Sequence, residues 1–199
     1  MAPKKKGFSG NVVLRQYDSL TDPRVLTTGL SQAEVATLEG DRFSFSYDVV
    51  IPSGETIYLY GSIPEDSDVI VGFQSRILKS ESGSLDFNVR WDAVVDSVGD
   101  AVVLFNENNL YRNTEFAKLE INEVDPINVS DVGIVRESDF IATSGVGSNT
   151  TGDVAPESGF RIYAEGTDFL IQIINTHTGD NRVLVGYSWI EVPTDFLGE

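Results

Sequence analysis

An alternation of apolar and polar side chains along residues 84–92 constrains the fold of this chain more than any other feature of its sequence. The apolar positions of this segment are Leu85, Phe87, Val89 and Trp91. Residues 42–50 repeat the pattern, and their apolar positions are Phe43, Phe45, Tyr47 and Val49. Because successive side chains of a β-strand point to opposite faces, each segment has one apolar and one polar face. Half-buried strands of this kind are typical of antiparallel sandwiches and barrels.

Further strand-like segments follow one another at spacings of about 8–12 residues, with turn-forming residues between them. The predicted strands are residues 11–17, 42–50, 55–62, 68–78, 84–95, 100–106, 115–121, 159–165, 169–175 and 182–192. We therefore predict an all-β protein, an antiparallel β-sandwich of the jelly-roll type, with other Greek-key sandwiches as alternatives. Residues 18–29 are predicted to be a loop, and residues 122–158 to be looser, with a long surface loop or an intersubunit arm at about 143–156.

Three connections between predicted strands carry turn residues and are predicted to be hairpins: residues 80–83, 98–100 and 176–181. The one predicted helix covers residues 31–38, where Ser31 is in the place of an N-cap and Glu34 follows at capping-box spacing. The chain as a whole is interpreted as a flexible basic arm at residues 1–10, followed by a single β-sandwich domain at residues 11–199.

The charge of the chain is strongly negative, because 14 Lys and Arg against 31 Asp and Glu give a formal net charge of −17. Three of the cations are Lys4, Lys5 and Lys6, so the chain beyond residue 6 has 11 cations against 31 acids, a net of −20. A folded body this negative repels phosphate backbones, and we expect it to bind no nucleic acid. The three lysines are interpreted either as an arm that docks on an acidic neighbour, a partner subunit or packaged nucleic acid, or as a solvated terminus.

The sequence has no cysteine, one histidine and no apolar run near the ~18 residues that a membrane span needs. We therefore expect no disulfide, no membrane partner, and synthesis in a cytoplasm. His177 lies in a polar loop, and the chain has neither a Gly-x-Ser-x-Gly motif nor a phosphate-binding loop. We predict that the protein is not an enzyme and has no catalytic, cofactor-binding or metal-binding residues. Calcium is the one metal considered, and its candidate ligands are Glu65, Asp66 and Asp68, or Asp180 with Asn181.

The segment at residues 55–62 is apolar on both sides, because Tyr58 and Tyr60 alternate with Ile57 and Leu59. This pattern predicts a central strand, or one that a partner subunit covers. The candidate interaction residues are therefore Lys4, Lys5, Lys6, Tyr58 and Tyr60. An aromatic platform that binds sugars is the alternative, and its candidate residues are Tyr58, Tyr60, Phe73, Trp91, Tyr187 and Trp189.

Several short segments occur in an order that resembles a group of tailed-bacteriophage virion proteins. The segments are residues 39–49 (EGDRFSFSYDV), a strand that ends in Trp91, residues 102–112 (VVLFNENNLYR), residues 169–175 (FLIQIIN) and residues 187–191 (YSWIE). That group has an early Gly-x-x-Phe/Tyr-x-x-Ser strand, a mid-chain Asn-x-Asn-Arg segment and a final Trp/Tyr-Glu strand. The similarity extends over residues 39–192.

The resemblance implies a β-sandwich or jelly roll that coats or links the particle as a capsid decoration or connector protein, located in the virion. It implies a homo-oligomer, with a trimer among the candidates, that binds the major capsid protein or another virion protein. It implies no catalytic residues. The alternative function is a carbohydrate- or receptor-binding module of a phage tail or fibre.

Overall fold

The computed structural model describes backbone and side chains for residues 41–107, 117–141 and 162–194. It also gives the backbone course of residues 13–18, 22–27, 150–152 and 156–161. The predicted basic arm at residues 1–10 and the predicted helix at residues 31–38 lie outside these ranges. Within them, no helix has the length and apolar character that crossing a membrane requires.

Fifteen strands and one turn of 3-10 helix make up the regular structure of the described ranges. The strands are β1 (Val13–Asp18), β2 (Asp22–Thr27), β3 (Arg42–Ile51), β4 (Thr56–Ser62), β5 (Val69–Ser80), β6 (Leu85–Trp91), β7 (Val94–Val95), β8 (Leu104–Asn106), β9 (Glu120–Val124), β10 (Val129–Asp131), β11 (Ile134–Ile141), β12 (Thr150–Gly152), β13 (Pro156–Tyr163), β14 (Asp168–Asn175) and β15 (Asn181–Pro193). The helical turn is Pro126–Asn128, and Asp125 caps it by accepting a hydrogen bond from the backbone N of Ile127 at 3.0 Å. Asp125 and Pro126 both suit the start of a helical turn. The Asp125 carboxylate accepts a hydrogen bond from a backbone N–H that has no partner within the turn, and Pro126 has no backbone N–H that needs a partner.

The strands form two large antiparallel sheets that pack face to face. One sheet has the order β11-β6-β14-β4-β9, and the other has the order β12-β5-β15-β3-β8, with β13 also paired to β5. We call them the five-stranded and the six-stranded sheet. Along the chain, β3 to β6 alternate between the two sheets, and β13 to β15 do the same. The layers β3-β15-β5-β13 and β4-β14-β6-β11 therefore have the strand order of an eight-stranded jelly roll, and the predicted fold is confirmed.

The core lies between the two sheets and consists of the apolar positions that the alternation predicts. Phe43 and Phe45 of β3, Phe87 of β6 and Trp189 of β15 all point into it and are buried. The Trp189 ring lies at its centre, with centroid distances of 6.0 Å to Phe43 and 6.2 Å to Phe73. A fully buried large apolar side chain contributes about 1.5–3 kcal/mol relative to an exposed one, so these rings are a main source of stability.

The three connections that were predicted as hairpins do not join neighbouring strands of one sheet. Residues 80–83 lead from β5 in the six-stranded sheet to β6 in the five-stranded sheet, and residues 176–181 lead from β14 back to β15. Residues 98–100 run beside β9 instead, where the backbone N of Gly99 donates to the carbonyl of Glu123 at 2.7 Å. Turn residues show where a chain reverses, but they do not show which sheet the next strand joins.

The predicted loop at residues 18–29 is wrong, because β2 lies within it and pairs with β1. Asp22 and Pro23 are residue types typical of turns, yet Asp22 lies opposite Asp18 and Pro23 lies opposite Tyr17 in the strand pair. Proline is tolerated in an edge strand, and the pair β1-β2 forms a sheet of two strands.

The region at residues 122–158 is also more regular than predicted, since it contains the 3-10 turn, β10, β11 and β12 and the start of β13. Strand β12 lies inside the predicted long loop and pairs with β5. Residues 142–149 and 153–155 lie outside the described ranges. The strand β11 has little apolar–polar alternation because its inward positions include Glu137 and Asp139, whose partner belongs to the opposite sheet.

Residues 99–106 close one edge of the sandwich. The backbone N of Val102 donates to the carbonyl of Ile121 at 2.8 Å, so the first half of this segment runs beside β9. The second half is β8, which pairs with β3 of the six-stranded sheet. The strand predicted at residues 100–106 thus occurs as this bridging segment. The strand predicted at residues 115–121 is misplaced, since it overlaps β9 only at residues 120 and 121. The closure covers strand edges that would otherwise be open to other chains.

Gly133 occupies a position that no other residue type fits without strain. Its φ is +70°, and a Cβ there would lie 2.0 Å from the carbonyl oxygen of Trp91. We expect Gly133→Ala to lower the free energy of unfolding by about 1–3 kcal/mol, as measured by urea denaturation. Gly54→Ala is the matched control, because Gly54 has a φ of +76° with no atom within 4 Å of its Cβ position. Equal losses in the two variants would contradict a steric role for the Trp91 carbonyl.

Candidate interaction surface

Two segments between β6 and β11 form a ribbon, residues 92–100 and 123–134, which we call the crossing ribbon. Within it, β7 and β10 pair antiparallel. The backbone N of Asp96 donates to the carbonyl of Asn128 at 2.8 Å, and the Asp96 carboxylate accepts a hydrogen bond from the Ser130 hydroxyl. These contacts hold the two segments side by side.

The crossing ribbon passes over the outer face of the five-stranded sheet. It leaves β9 where Val124 pairs with Tyr58 of β4, and it enters β11 where Ile134 pairs with Trp91 of β6. The strands β4 and β14 lie between these two points in the sheet, and the core fills the inner face. The side chain of Leu170 on β14 points away from the core and is nevertheless fully buried. A covering segment on the outer face accounts for that burial.

A hydrogen-bond network joins the crossing ribbon to the face that it covers. Gln172 of β14 accepts hydrogen bonds from Arg90 Nε at 2.8 Å and from Asn88 Nδ2 at 3.3 Å. Its own Nε2 donates to Tyr58 Oη at 3.2 Å, and Arg90 Nη1 donates to the carbonyl of Gly133 at 3.1 Å. Because buried polar groups are costly without partners, this network favours one position of the ribbon on the sheet.

Tyr58 and Tyr60 are both half-buried on β4, which lies between β14 and β9. The prediction that residues 55–62 form a central strand is confirmed, and the 3-10 turn of the chain's own ribbon contacts that strand. Burial, with a hydrogen bond to Asp168 and the charge of that carboxylate, raises the pKa of Tyr60 to about 12. The Tyr60 hydroxyl is therefore protonated at neutral pH. A contact of either tyrosine with another subunit stays a prediction.

The solvent side of the crossing ribbon combines exposed apolar side chains with negative charge. Its exposed apolar residues are Val94, Val98, Ile127 and Ile134. Ile127 is 83% exposed, the highest value among the large apolar residues that the structure describes. Its acidic residues, all exposed, are Asp92, Asp96, Asp100, Glu123, Asp125 and Asp131. The ribbon contains no Lys, Arg or His, so its surface is both apolar and uniformly negative.

Two sheet edges carry further exposed apolar side chains. Val103 and Phe105 lie in the bridging segment that contains β8, and Phe140 lies on β11. In the strand order that the structure describes, β8 and β11 are the last strands of their sheets. Exposed apolar residues on edge strands favour contact with a neighbouring chain.

The calcium sites considered from the sequence do not form in the described ranges. No group of three or more acidic or histidine side chains comes together there to hold a metal ion, so Glu65, Asp66 and Asp68 do not make a ligand set. Asn181 is buried, and its Oδ1 accepts a hydrogen bond from Ser80 Oγ at 2.9 Å. That amide therefore serves the packing of β5 against β15.

His177 lies in the connection between the two sheets that leads from β14 to β15. Its ring packs against Gly83, where a Cβ would lie only 2.2 Å from the imidazole Cγ. Ser53 Oγ donates to the His177 carbonyl at 2.9 Å. These contacts give the residue a structural role at the meeting point of three sheet-crossing connections. The lysines of the predicted interaction set, Lys4, Lys5 and Lys6, lie outside the described residues.

Most aromatic residues of the sugar-platform alternative belong to the core. Phe73, Tyr187 and Trp189 are buried there, with 5.2 Å between the ring centroids of Phe73 and Tyr187. Trp91 is half-buried, and the Arg136 guanidinium lies 5.0 Å from its ring centroid. These residues do not form an open stacking surface.

Comparison with known proteins assigns no family. No protein-family model matches the chain, and no curated protein matches it significantly. Because one fold serves many functions, a function for this chain has to be argued from its surfaces.

A partly buried ionic cluster, centred on the buried Arg76, joins the two sheets. Arg76 on β5 donates from Nη1 to Glu137 Oε1 at 2.5 Å and from Nη2 to Asp139 Oδ2, both on β11. Its guanidinium lies 4.9 Å from the ring centroid of Phe87. Burial lowers the pKa of Arg76, but Tyr187 and the two carboxylates outweigh it and raise the pKa above its usual value. Sequence reasoning missed this cluster, and the only signal for it is two acids at strand spacing on one face of β11.

A buried carboxylate, Glu191 on β15, holds the segment that leads into β9. Its Oε1 accepts hydrogen bonds from the backbone N of Lys118 at 2.9 Å and of Leu119 at 3.0 Å, and from Trp189 Nε1 at 3.1 Å. Burial raises the pKa of Glu191 above its ordinary value, although these hydrogen bonds act to lower it. The sequence analysis missed this residue too, although its place two residues after Trp189 puts it on the apolar face of the last strand.

The raised pKa of Glu191 predicts how Glu191→Gln depends on pH. A carboxyl group whose pKa is higher in the folded than in the unfolded chain contributes most to stability when pH is below both pKa values. That contribution is lost as pH rises above the pKa of the folded chain. Gln does not titrate, so the loss of unfolding free energy in the variant should be larger at about pH 4 than at about pH 7. Urea denaturation of both proteins at the two pH values measures this difference. A loss that grows with pH would show that hydrogen bonding, not burial, dominates the titration.

Proposed function

We propose that this protein is a structural component of a bacteriophage particle, a capsid decoration subunit that self-associates and binds the major capsid protein or another virion protein. The observation that carries the proposal is the surface of the crossing ribbon, where the apolar residues Val94, Val98, Ile127 and Ile134 stay exposed on a tightly hydrogen-bonded support. Exposed apolar patches on a rigid support are characteristic of surfaces that another protein covers.

The fold and the charge support the same function. Jelly rolls occur in viral capsid proteins and in lectins, so the fold contributes an analogy and not a function. The net charge of −20 beyond residue 6 disfavours contact between the folded body and packaged nucleic acid, which suits a subunit on the outside of a particle. The apolar edges at Phe105 and Phe140 offer additional weak contacts, and many weak contacts on one particle combine into strong attachment.

The direct test is the composition of purified particles. Particles of the phage that encodes this chain are banded on a density gradient, and the chain is quantified against the major capsid protein. We expect the chain to co-band with intact particles at a constant ratio to the major capsid protein. Absence of the chain from intact particles would overturn the proposed function.

A pair of matched variants tests the role of the crossing ribbon. The ribbon variant carries Val94→Ser and Ile127→Ser, and the control carries Val50→Ser and Ile162→Ser, which remove exposed apolar side chains of β3 and β13. We expect incorporation of the ribbon variant into particles to fall by about tenfold or more, and that of the control to stay unchanged. Urea denaturation verifies that both variants fold. Equal incorporation would contradict attachment through the ribbon.

A further inference from the structure

We infer that the crossing ribbon of one copy of this chain binds the basic N-terminal segment, residues 1–8, of a second copy. The inference rests on the self-association contained in the proposed function, and it does not depend on the identity of the particle. The crossing ribbon is then the surface of the folded body to which the three lysines of the N-terminal segment bind.

Charge complementarity is the first argument for this pair of surfaces. The crossing ribbon has six exposed acidic residues and no basic residue. Lys4, Lys5 and Lys6 are the only adjacent basic residues in the chain, since the other 11 Lys and Arg stand singly. Among the segments of this sequence, residues 1–8 therefore have the charge pattern that best complements the ribbon.

Apolar contacts are the second argument. The acids of the ribbon alternate with exposed apolar side chains, among them Val98 and Ile127. A lysine covers such a surface with its methylene chain while its ammonium group reaches a carboxylate, and Phe8 follows the lysines after one glycine. Single exposed ion pairs contribute about 0–1 kcal/mol, so an attachment of this kind needs several of them together with the apolar contacts.

The charge of the folded body is the reason for assigning the segment to a second copy. Two bodies with a net charge of −20 each repel one another, and a cationic contact between them offsets that repulsion. The N-terminal segment supplies the only concentrated positive charge in the chain. Binding of the segment across the contact places that charge on the acidic surface of the neighbour.

Charge reversal tests the inference on the full-length chain. The arm variant carries Lys4→Glu, Lys5→Glu and Lys6→Glu, and the acceptor variant carries Asp92→Lys, Asp100→Lys and Glu123→Lys, which are exposed acids of the ribbon. The control variant carries Glu65→Lys, Asp66→Lys and Asp180→Lys, which change the net charge by the same amount and in the same direction as the acceptor variant, at exposed sites outside the ribbon. Sedimentation equilibrium at about 50 mM and about 500 mM salt measures self-association, because exposed charge contacts weaken with ionic strength.

The wild-type and control chains are expected to self-associate at low salt and to dissociate at high salt. The arm variant and the acceptor variant should each associate at least about tenfold more weakly. An equimolar mixture of those two should regain association, because a glutamate arm then meets a lysine ribbon and a lysine arm meets an acidic ribbon. That recovery in the mixture requires binding between copies.

Three results would overturn the inference: a monomeric wild-type chain at low salt, equal weakening in the control and acceptor variants, or no recovery in the mixture. The measurements separate this inference from the proposed function. If the chain is present in particles but its self-association is unchanged by the charge reversals, only the arm–ribbon contact is refuted. A chain that passes the mixing test but is absent from particles would refute only the role in the virion.

Discussion

Replacing Glu191 by alanine is expected to lower the free energy of unfolding by about 3–5 kcal/mol. Three donors lose their acceptor at once, namely the backbone N of Lys118, the backbone N of Leu119 and Trp189 Nε1. A buried donor without a partner costs about 1–3 kcal/mol, and alanine also leaves an empty space beside the core. Urea denaturation followed by circular dichroism measures the loss.

Glu120→Ala is the matched control for this prediction, because Glu120 is an exposed acid at the start of β9. Surface substitutions of this kind change stability by about 0.5 kcal/mol or less. A loss below about 1 kcal/mol in Glu191→Ala would show that residues 117–119 find other acceptors. The Glu191 carboxylate would then not be what holds that segment in place.

Replacing Trp189 by alanine is expected to lower the free energy of unfolding by about 3–5 kcal/mol as well. The indole is fully buried between the sheets, beside Phe43, Phe45 and Phe73. Removal of an aromatic side chain from a packed core costs its transfer free energy and the free energy of the cavity that remains. The urea denaturation midpoint, followed by the fluorescence of Trp91, reports the loss.

Trp91→Phe is the matched control, because the chain has only two tryptophans. Among the described residues, the buried Nε1 of Trp91 has no hydrogen-bond partner. Phenylalanine removes that unsatisfied donor and keeps most of the ring, so we expect a change of about 1 kcal/mol or less, of either sign. A larger loss in Trp91→Phe than in Trp189→Ala would contradict the placement of Trp189 at the centre of the core.

The long central strands could be predicted from the sequence close to their observed bounds. The alternation at residues 42–50 and 84–92 depends only on the geometry of a single strand with one buried face. The same holds for residues 182–192, where Val183, Val185 and Trp189 point into the core. Such a signal needs no information about the partner strand.

Strand β11 and the buried Glu191 were missed because their partners lie far away in sequence. Strand β11 has acids on its inward face because Arg76 meets Glu137 and Asp139 from the opposite sheet. Glu191 is on the apolar face of β15 because the backbone of residues 117–119 needs an acceptor there. A pattern based on hydrophobicity treats these carboxylates as solvent-facing, since it does not include the donor that pairs with them.

For the crossing ribbon, too, the sequence gives the residue types, and the tertiary structure alone gives their arrangement. The acidic and apolar residues at positions 92–100 and 123–134 can be read directly from the sequence. Nothing in their order shows that the two segments pair, or that they cross the outer face of the five-stranded sheet. That arrangement depends on Gly133, on the Arg90–Gln172 network and on the positions of β9 and β11 at opposite edges.

The sequence by itself determined the class of the fold, the alternation of the central strands and the sign of the surface charge, because each follows from local periodicity or from composition. Only the tertiary structure decided which sheet each strand joins, where the buried charges find partners and which residues of the crossing ribbon face solvent. Those features depend on contacts between residues distant in sequence, such as Arg76 with Glu137 and Trp189 with Phe43. Such contacts form only when both sheets close around one core.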